Sequence, residues 1–301
     1  MGYSTLILVA GLTIIITTMS ISSNEQILSL TQKTTERSHA IMASMNVTSA
    51  AHIAVSNFLA DPSWRGGVAN SSLNGGNLSA TIIDTTAGRI YISSTGSYAG
   101  AARDIQILAR YRPPLDSIAV STTGTVVNVT TLDENSNPDP SLLSSQQDWS
   151  YDIDDQALYN LAASQSHIET GSNFSPGNNY PNGSFYYSGQ TPNVTHVLGD
   201  LLIGGNQTIY GIFYVEGDVT IQGNATLEGV LYLPNETSIL LQGGGNLYPG
   251  SVIGGIISTG DIDGAGNHIY VEYEPTYLTH FSQYGDTGAS VLVYSWKEYK
   301  Y

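Results

Sequence analysis

The chain of 301 residues is long enough for one large domain or two modest ones, each with its own apolar core. Only 11% of its residues are charged and its formal net charge is −16, a balance that repels nucleic-acid phosphates and argues against nucleic acid as a partner. It has no cysteine, which excludes disulfides, thiol catalysis and zinc–thiolate sites.

The first 24 residues carry no charged side chain, and the first charged residue is Glu25. As a helix they would rise about 36 Å, which exceeds the roughly 30 Å core of a bilayer. The segment lacks the basic start and the small-residue cleavage site of a secretory signal peptide. We therefore expect this apolar run to stay in the mature protein, with any basic leader lying upstream of Met1.

Residues 25–60 contain neither proline nor glycine and become amphipathic, with Ile41, Met45, Val55 and Leu59 on one predicted stripe. The pair Asp61-Pro62 ends the pattern, because a residue before proline is pushed out of the helical region. We predict one helix over residues 1–60. Its first third needs lipid or other helices around it, and its remainder packs on a globular head.

The next segments are predicted to form β structure followed by loops. Residues 61–112 alternate apolar and polar residues between turns, as in "NLSATIID" and "DIQILARY", which predicts an antiparallel β-meander that covers the helical stripe. Residues 113–195 form a predicted loop-rich insertion with two recognisable elements. These are a hairpin in "IAVSTTGTVVNVTTL" and a short helix with an Asp N-cap in "DDQALYNLAASQ".

The stretch "DENSNPDP" in this insertion places an oxygen-bearing side chain at every second residue, at Asp133, Asn135, Asn137 and Asp139. Such a spacing can converge on Ca²⁺, a cation that takes six to eight oxygen ligands. Pro138 stands where the helix-loop-helix calcium loop has glycine, and no glutamate follows at its twelfth position. Ordinary Asx-turns are the alternative, and no other cofactor is indicated.

A repeat of eighteen residues follows, with "GDLLIGGNQTIYGIFYVE" directly before "GDVTIQGNATLEGVLYLP". Repeats of this length are units that stack on their neighbours to bury a core. We predict a right-handed β-solenoid over residues 196–275, then a C-terminal strand or cap over residues 276–301, in a chain of the α+β class. The predicted corner residues of the solenoid are Gly199, Asp200, Gly217, Asp218, Gly260 and Asp261.

Two further patterns bear on function. Asn-x-Ser/Thr sequons are more frequent than chance predicts, which indicates either a glycosylated exported protein or simply an Asn/Thr-rich surface; the candidates are Asn46, Asn70, Asn77, Asn128, Asn193, Asn206 and Asn224. Stacked Asp200 and Asp218 allow a polysaccharide-active β-helix enzyme as an alternative. The repeat has no Lys or Arg to assist them, and His167, His196, His268 and His280 lack metal-ligand spacing, so we predict no enzyme.

The long apolar helix before a β-meander resembles the type IV pilin family, including minor pilins and pseudopilins. The stretch "GRIYISSTGSYAGAARDIQILARYRPP" looks like their strand, Ser-Thr-Gly-x-Tyr turn and Arg-containing strand. The Gly-Asp repeat is similar to the distal part of large minor-pilin-like proteins and, more loosely, to bactofilins. One departure concerns assembly register, because most bacterial type IV pilins have Glu at the fifth mature position, whereas Thr5 stands here if Met1 is the mature start.

This resemblance implies a structural subunit of an extracellular, cell-surface filament. Its helix would be membrane-inserted before assembly, its partners would be copies of itself, the inner-membrane assembly machinery and a prepilin peptidase, and adhesion to surfaces or glycans would be a further role. The residues expected in the filament core or membrane are Leu6, Ile7, Leu8, Val9, Leu12, Ile14, Ile15, Ile16 and Met19. A membrane-anchored surface adhesin is the alternative.

Overall fold

The computed structural model describes residues 2–85, 89–145, 151–242, 251–264 and 269–300, and side chains within these ranges except at 2–9, 241, 242, 286 and 300. The chain divides into two compact units, one formed by Met1–Arg112 with Ser290–Tyr301 and the other by Pro113–Ala289. Strands make up 43% of the described residues, which also contain three α-helices.

The first unit contains one helix and one antiparallel sheet. Helix α1 covers Gly2–Ala60. The sheet has the order β1-β2-β3-β4-β24, so the last strand of the chain pairs with β4 and the meander has five strands. Its strands are β1 (Val68–Leu73), β2 (Gly76–Asp84), β3 (Ile90–Tyr98), β4 (Ala101–Arg112) and β24 (Ser290–Lys300).

The C-terminal third of α1 packs on this sheet through small residues. Its buried apolar side chains are Ala43, Val47, Ala50, Ala51, Ala54 and Phe58. They meet a layer of aliphatic side chains from β2, β3 and β4. A Cβ at Gly96 of β3 would overlap the backbone of α1 at Val47, so glycine permits this close approach.

The predicted stripe of α1 is therefore wrong. Ile41 and Met45 are each 52% exposed, Leu59 is also exposed, and only Val55 contacts the core. The sheet approaches the helix backbone too closely for long side chains, so the alanines face it and the larger apolar residues face outward. The predicted Ser-Thr-Gly-x-Tyr turn is also misplaced, since these residues lie inside β3 and the hairpin turn is Ala99-Gly100, both with positive φ.

The second unit is built on two parallel sheets. The larger has nine strands, in the order β10-β14-β16-β18-β20-β22-β7, with β5 paired to β20 and β8 paired to β5. Its strands are β5 (Val120–Thr122), β7 (Val129–Leu132), β8 (Leu143–Ser145), β10 (Ile168–Glu169), β14 (Val194–Val197), β16 (Thr208–Val215), β18 (Thr226–Leu233), β20 (Val252–Ser258) and β22 (Ile269–Tyr273).

The smaller parallel sheet has six strands, in the order β11-β15-β17-β19-β21-β6. They are β6 (Val126–Val127), β11 (Asn173–Phe174), β15 (Asp200–Ile203), β17 (Val219–Gln222), β19 (Ile239–Gln242) and β21 (Ile262–Asp263). Side chains of both sheets share one buried cluster that includes Leu201, Phe213, Val219 and Leu231. Alternate residues of each repeat therefore build one continuous core.

The remaining elements of this unit are short. Two helices are described, α2 (Asp155–Gln165) and α3 (Pro275–Ser282). Two antiparallel pairs join β12 (Tyr186–Ser188) to β13 (Thr191–Pro192) and β9 (Asp152–Ile153) to β23 (Gly285–Asp286). The N-cap of α2 is Asp154, whose Oδ1 accepts a hydrogen bond from the Ala157 N–H at 2.9 Å.

The predicted fold class is wrong. The chain is mostly β rather than α+β, and its parallel strands form separate sheets rather than the predicted right-handed solenoid of residues 196–275 alone. Most strands of each sheet follow chain order, but β5 and β7 in the larger sheet and β6 in the smaller one lie beside strands that come much later in the chain. Strands from 120–132 and 168–174, outside the repeat, extend both sheets at their edges. Unpaired strand edges attract any segment that can satisfy their N–H and C=O groups, and an internal repeat gives no sign of which segment will do so.

The predicted hairpin in "IAVSTTGTVVNVTTL" is also wrong. Its residues form β5, β6 and β7, which do not pair with one another; they run parallel to β20, β21 and β22 respectively. The alternation of apolar and polar residues identified strands correctly but carried no information about their partners, which lie about 140 residues later in the chain.

Candidate functional site: the exposed half of helix α1

The N-terminal part of α1 carries large apolar side chains that no described residue covers. Every residue from 12 to 38 is exposed, including Ile14 and Met19, which are each 67% exposed. At 1.5 Å per residue this stretch is about 40 Å long. Its exposed large apolar residues are Leu12, Ile14, Ile15, Ile16, Met19, Ile21, Ile27, Leu28 and Leu30.

These side chains lie on all sides of the helix. Successive residues are about 100° apart around an α-helix, so the side chains of Leu12 and Ile14 point about 200° apart. Those of Ile15 and Ile16 point in two further directions. The predicted core residues Leu6, Ile7, Leu8 and Val9 belong to the same helix, but their side chains are outside the described part. A helix that is apolar all round requires a surrounding apolar environment.

Threonine hydroxyls in this stretch form hydrogen bonds within the helix itself. The Thr17 hydroxyl donates to the carbonyl of Thr13 at 2.8 Å, and the Thr31 and Thr34 hydroxyls donate to carbonyls four residues earlier, also at 2.8 Å. A hydroxyl satisfied within its own helix can be buried against another helix without loss of a hydrogen bond. Before the first charge at Glu25, Thr17 and Thr18 therefore leave no hydroxyl donor unsatisfied.

An outward apolar face continues along the packed part of α1. Ile41, Met45, Ile53 and Leu59 remain exposed on the side away from the buried alanines.

In the part of the chain that the structure describes, no helix combines the length and apolar character needed to cross a membrane.

In the predicted calcium loop, the carboxylates of Asp133 and Asp139 accept hydrogen bonds from nearby backbone N–H groups. Oδ1 of Asp133 accepts hydrogen bonds from the backbone N–H groups of Asn135 and Asn137 at 2.9 and 2.8 Å. These bonds, the one from Asn137 first, lower the pKa of Asp133. Asp139 instead caps the 3-10 turn Pro140–Leu142 by accepting from the Ser141 N–H. The described residues contain no group of three or more His, Asp or Glu side chains that could hold a metal.

The predicted corner aspartates connect neighbouring strands of the six-stranded sheet. Oδ1 of Asp200 accepts from the Asp218 N–H at 3.0 Å, and Oδ1 of Asp218 accepts from the Ser238 N–H at 2.8 Å. Asp261 accepts from both the N–H and the hydroxyl of Thr125 at 2.7 Å. Each carboxylate thus receives a main-chain hydrogen bond from the next strand, which is a structural use rather than a catalytic pairing.

Glycines precede these aspartates where the strands stack most closely. A Cβ at Gly199 would lie 2.5 Å from the carbonyl oxygen of Ser172, and one at Gly217 would lie 2.6 Å from Oδ1 of Asp200. A Cβ at Gly260 would overlap the carbonyl of Thr237. Only glycine fits at these three places.

The seven candidate sequons fall into two groups. Asn70, Asn77, Asn128, Asn206 and Asn224 are exposed. Asn46 and Asn193 are fully buried, and their amides donate to the carbonyls of Ser97 at 3.1 Å and Ser184 at 2.7 Å. A glycan on either buried asparagine would have to displace these contacts.

The histidines lie apart in packed or paired positions. His196 is buried, stacks on Tyr214 and contacts Oε1 of Glu216 at 2.9 Å. His280 contacts the Tyr186 hydroxyl at 3.2 Å, whereas burial lowers the pKa of His167. His268 is outside the described residues.

No protein-family model matches the sequence, and no curated protein is similar to it in sequence. Among solved structures, the chain is similar to the competence-associated pilin ComZ from Thermus thermophilus. The identity is 10% and the TM-score 0.32, and the match covers 88% of this chain and 98% of that one. A likeness of this size carries no argument, so the function is inferred from the residues of this chain.

Sequence reasoning missed the alanine face of α1. The spacing of Ala43, Ala50 and Ala54 follows one side of a helix, and a search for small residues at intervals of three and four would have found it. Apolarity alone favours Ile and Met over Ala and so selected the opposite, outward face.

Proposed function

We propose that the chain is a structural, non-catalytic subunit of an extracellular helical filament, which polymerises by bundling α1 with α1 helices of other copies. The observation that supports this proposal is the continuous exposure of residues 12–38, which carry nine large apolar side chains, and those of residues 12–21 lie on every side of the helix.

The distribution of these residues argues for several neighbours rather than one. A single partner helix covers only one stripe of its neighbour, as in a two-stranded coiled coil. Leu12 and Ile14 point in nearly opposite directions, so one partner would leave one of them in water. A helix surrounded by copies of itself covers both.

The energies lead to the same conclusion. Fully burying an aliphatic side chain contributes about 1.5–3 kcal/mol, so nine residues supply roughly 13 kcal/mol or more. Association of two molecules costs an estimated 4–15 kcal/mol. A dimer that covers a third of these side chains gains roughly 4 kcal/mol, which only just offsets the lower end of the association cost. A bundle that covers all of them is stable.

The outward face at Ile41, Met45 and Leu59 extends the proposed contact beyond the fully exposed stretch. In a filament these residues would meet the α1 helices of axially displaced copies. Leu6, Ile7, Leu8 and Val9 would belong to the same helical core.

The proposal has further parts that rest on the resemblance to type IV pilins. The subunit would be inserted in the membrane before assembly, released from a leader by a prepilin peptidase and handled by the inner-membrane assembly machinery. Its second unit would face the medium, with the exposed sequons at Asn128, Asn206 and Asn224 open to glycosylation, and would take part in adhesion.

Reconstitution from detergent tests polymerisation. The full chain is solubilised, the detergent is removed by dialysis, and the product is examined by sedimentation and negative-stain electron microscopy. Wild type should yield filaments, and Ile15→Asp should not, because a charge would enter the helical bundle. Leu198→Asp is the matched control, since Leu198 is also exposed but lies between β14 and β15.

Circular dichroism of both variants in detergent checks that the fold is retained. Filaments from Ile15→Asp equal in yield to those of wild type would contradict a helical core. A wild-type protein that stays monomeric after detergent removal, or returns to lipid vesicles without assembling, would favour an anchored surface protein instead.

A further inference from the structure

Four charged side chains lie in the exposed stretch of α1. They are Glu25, Lys33, Glu36 and Arg37. All four are exposed, and the two acids and two bases give residues 12–38 a formal charge of zero. A bundle of many copies therefore accumulates no net charge along its core, provided that each charge meets an opposite one.

Within one copy, three of these charges lack an opposite partner. Oε1 of Glu36 accepts a hydrogen bond from Nε2 of Gln32 at 2.8 Å. Among the described residues, the side chains of Glu25, Lys33 and Arg37 have no hydrogen-bonding or ion-pair partner. Ion pairs within a helix join residues three or four apart, whereas Glu25 and Lys33 are eight apart, or about 12 Å along the axis. They cannot meet in the same copy.

Bundling of α1 would change the surroundings of Glu25. Exposed apolar residues flank it along the helix, with Ile21 before it and Ile27 and Leu28 after it. Burial of these residues against other copies would also remove water from the Glu25 carboxylate. A charge that loses its water without gaining a partner strongly opposes assembly. The bundle must therefore bring a cation to Glu25, and the nearest cation along α1 is Lys33.

The offset between Glu25 and Lys33 determines how two copies lie side by side. In a parallel pair of α1 helices, the two residues come level when one copy is displaced by about 12 Å. The large apolar side chains from Leu12 to Leu30 extend over about 27 Å, so more than half of this length still overlaps. Pairing of Glu25 with Arg37 instead requires a displacement of about 18 Å and leaves only about a third in contact. Lys33 is therefore the favoured partner.

The two charges also point in different directions. Eight residues turn an α-helix by about 80° beyond two full turns, so Glu25 and Lys33 lie on different sides of α1. One copy can use Glu25 toward one neighbour and Lys33 toward another, which is a head-to-tail contact that repeats without closing.

We propose that Glu25 of one copy forms an ion pair with Lys33 of the next, parallel copy, and that this pair sets the register of the α1 bundle at a displacement of about 12 Å. This inference rests on the proposed function and names a contact between its subunits.

Charge reversal in the detergent-removal assay tests the pair. Wild type should form filaments. Glu25→Lys and Lys33→Glu should each lower the filament yield about tenfold or more, because each places like charges opposite one another. The double variant Glu25→Lys/Lys33→Glu should restore the yield to within about twofold of wild type, since it only exchanges the two charges. Both residues are exposed within one copy, so circular dichroism in detergent should show an unchanged fold.

Glu236→Lys is the matched control. Glu236 is exposed and lies in the second unit between β18 and β19, and its replacement changes the net charge by the same amount as Glu25→Lys. Its filament yield should equal that of wild type. A loss as large as that of Glu25→Lys, or a double variant as defective as the single ones, would overturn the inference, because net charge rather than pairing would then decide assembly.

A zero-length cross-link identifies the partner directly. A water-soluble carbodiimide joins a carboxylate to an amine where the two are in contact. Chymotrypsin cleaves at Leu28 and Leu30 and so separates the Glu25 peptide from the Lys33 peptide before mass spectrometry. Wild-type filaments should yield the Glu25–Lys33 cross-link, and wild-type monomers in detergent should not. Lys33→Arg should still assemble without this cross-link, because arginine keeps the charge but offers no reactive amine.

The outcomes separate this inference from the filament itself. Filaments that assemble without the Glu25–Lys33 cross-link, or whose yield is unaffected by Glu25→Lys, would overturn the inference and leave the proposed filament standing. A wild-type chain that forms no filaments would overturn the proposed function, and this inference with it.

Discussion

Gly229, at the middle of β18, allows a direct test of how the parallel sheet is built. It pairs with Gly211 of β16 and Gly254 of β20, and all three have positive φ, at +149° for Gly229. A Cβ on Gly229 would overlap the carbonyl oxygen of Gly211. Gly229→Ala therefore imposes two penalties, a strained backbone and a displaced neighbouring strand.

The magnitudes can be separated. Holding an alanine in this region costs on the order of 1–3 kcal/mol. Moving β16 away weakens two or three ladder hydrogen bonds, each worth about 1 kcal/mol. The expected loss in unfolding free energy is about 4 kcal/mol. Gly205→Ala is the matched control, because Gly205 has φ +72° but open space around its Cβ position, so it should lose only about 1–2 kcal/mol.

The assay is urea unfolding of both variants in detergent, followed by circular dichroism and by hydrogen exchange of peptides from β16 and β18. Exchange in these strands should accelerate in Gly229→Ala and remain near wild type in Gly205→Ala. Equal losses in the two variants, within about 0.5 kcal/mol, would refute the close stacking of these glycines.

Two pH dependences can be measured alongside. Hydrogen bonds from the Thr125 backbone and hydroxyl lower the pKa of Asp261 below 3.8, so its contribution to stability is present above that pH and is lost as the pH falls through the lowered value. Asp261→Asn should abolish this acid dependence in urea unfolding at pH 2–6, and an unchanged profile would contradict it. Burial raises the pKa of Tyr180, Tyr214 and Tyr277 to about 12. The contribution of these tyrosines to stability is complete below pH 10 and is lost as the pH rises toward 12. Tyrosinate absorbance should therefore show a late phase in a pH titration, and this phase should be smaller in Tyr214→Phe. A single transition near pH 10 would contradict the prediction.

Sequence reasoning succeeded where the signal is local. The end of α1 at Ala60 follows from Asp61-Pro62, and the Asp N-cap of α2 follows from the acidic residues that precede an apolar periodic run. The spacing of Gly199 and Gly217 reflects stacking that leaves no room for a Cβ. In each case a few neighbouring residues decide the structure.

It failed where the outcome depends on distant partners. Nothing in "STTGTVVNVTTL" reveals that β5, β6 and β7 join sheets formed by residues 252–273, because parallel pairing leaves no mark on local periodicity. The calcium hypothesis considered the oxygens of Asp133 and Asp139 but not the backbone N–H groups that use them.

The most direct test of the central claim is to shear cells that express the chain, image the released material by electron microscopy and identify its main protein by peptide mass spectrometry. The account predicts filaments composed mainly of this chain, with the α1 peptides protected from protease until the filaments are dissociated. It would be contradicted if the released filaments lacked the chain, or if the chain stayed with the membrane fraction until detergent was added.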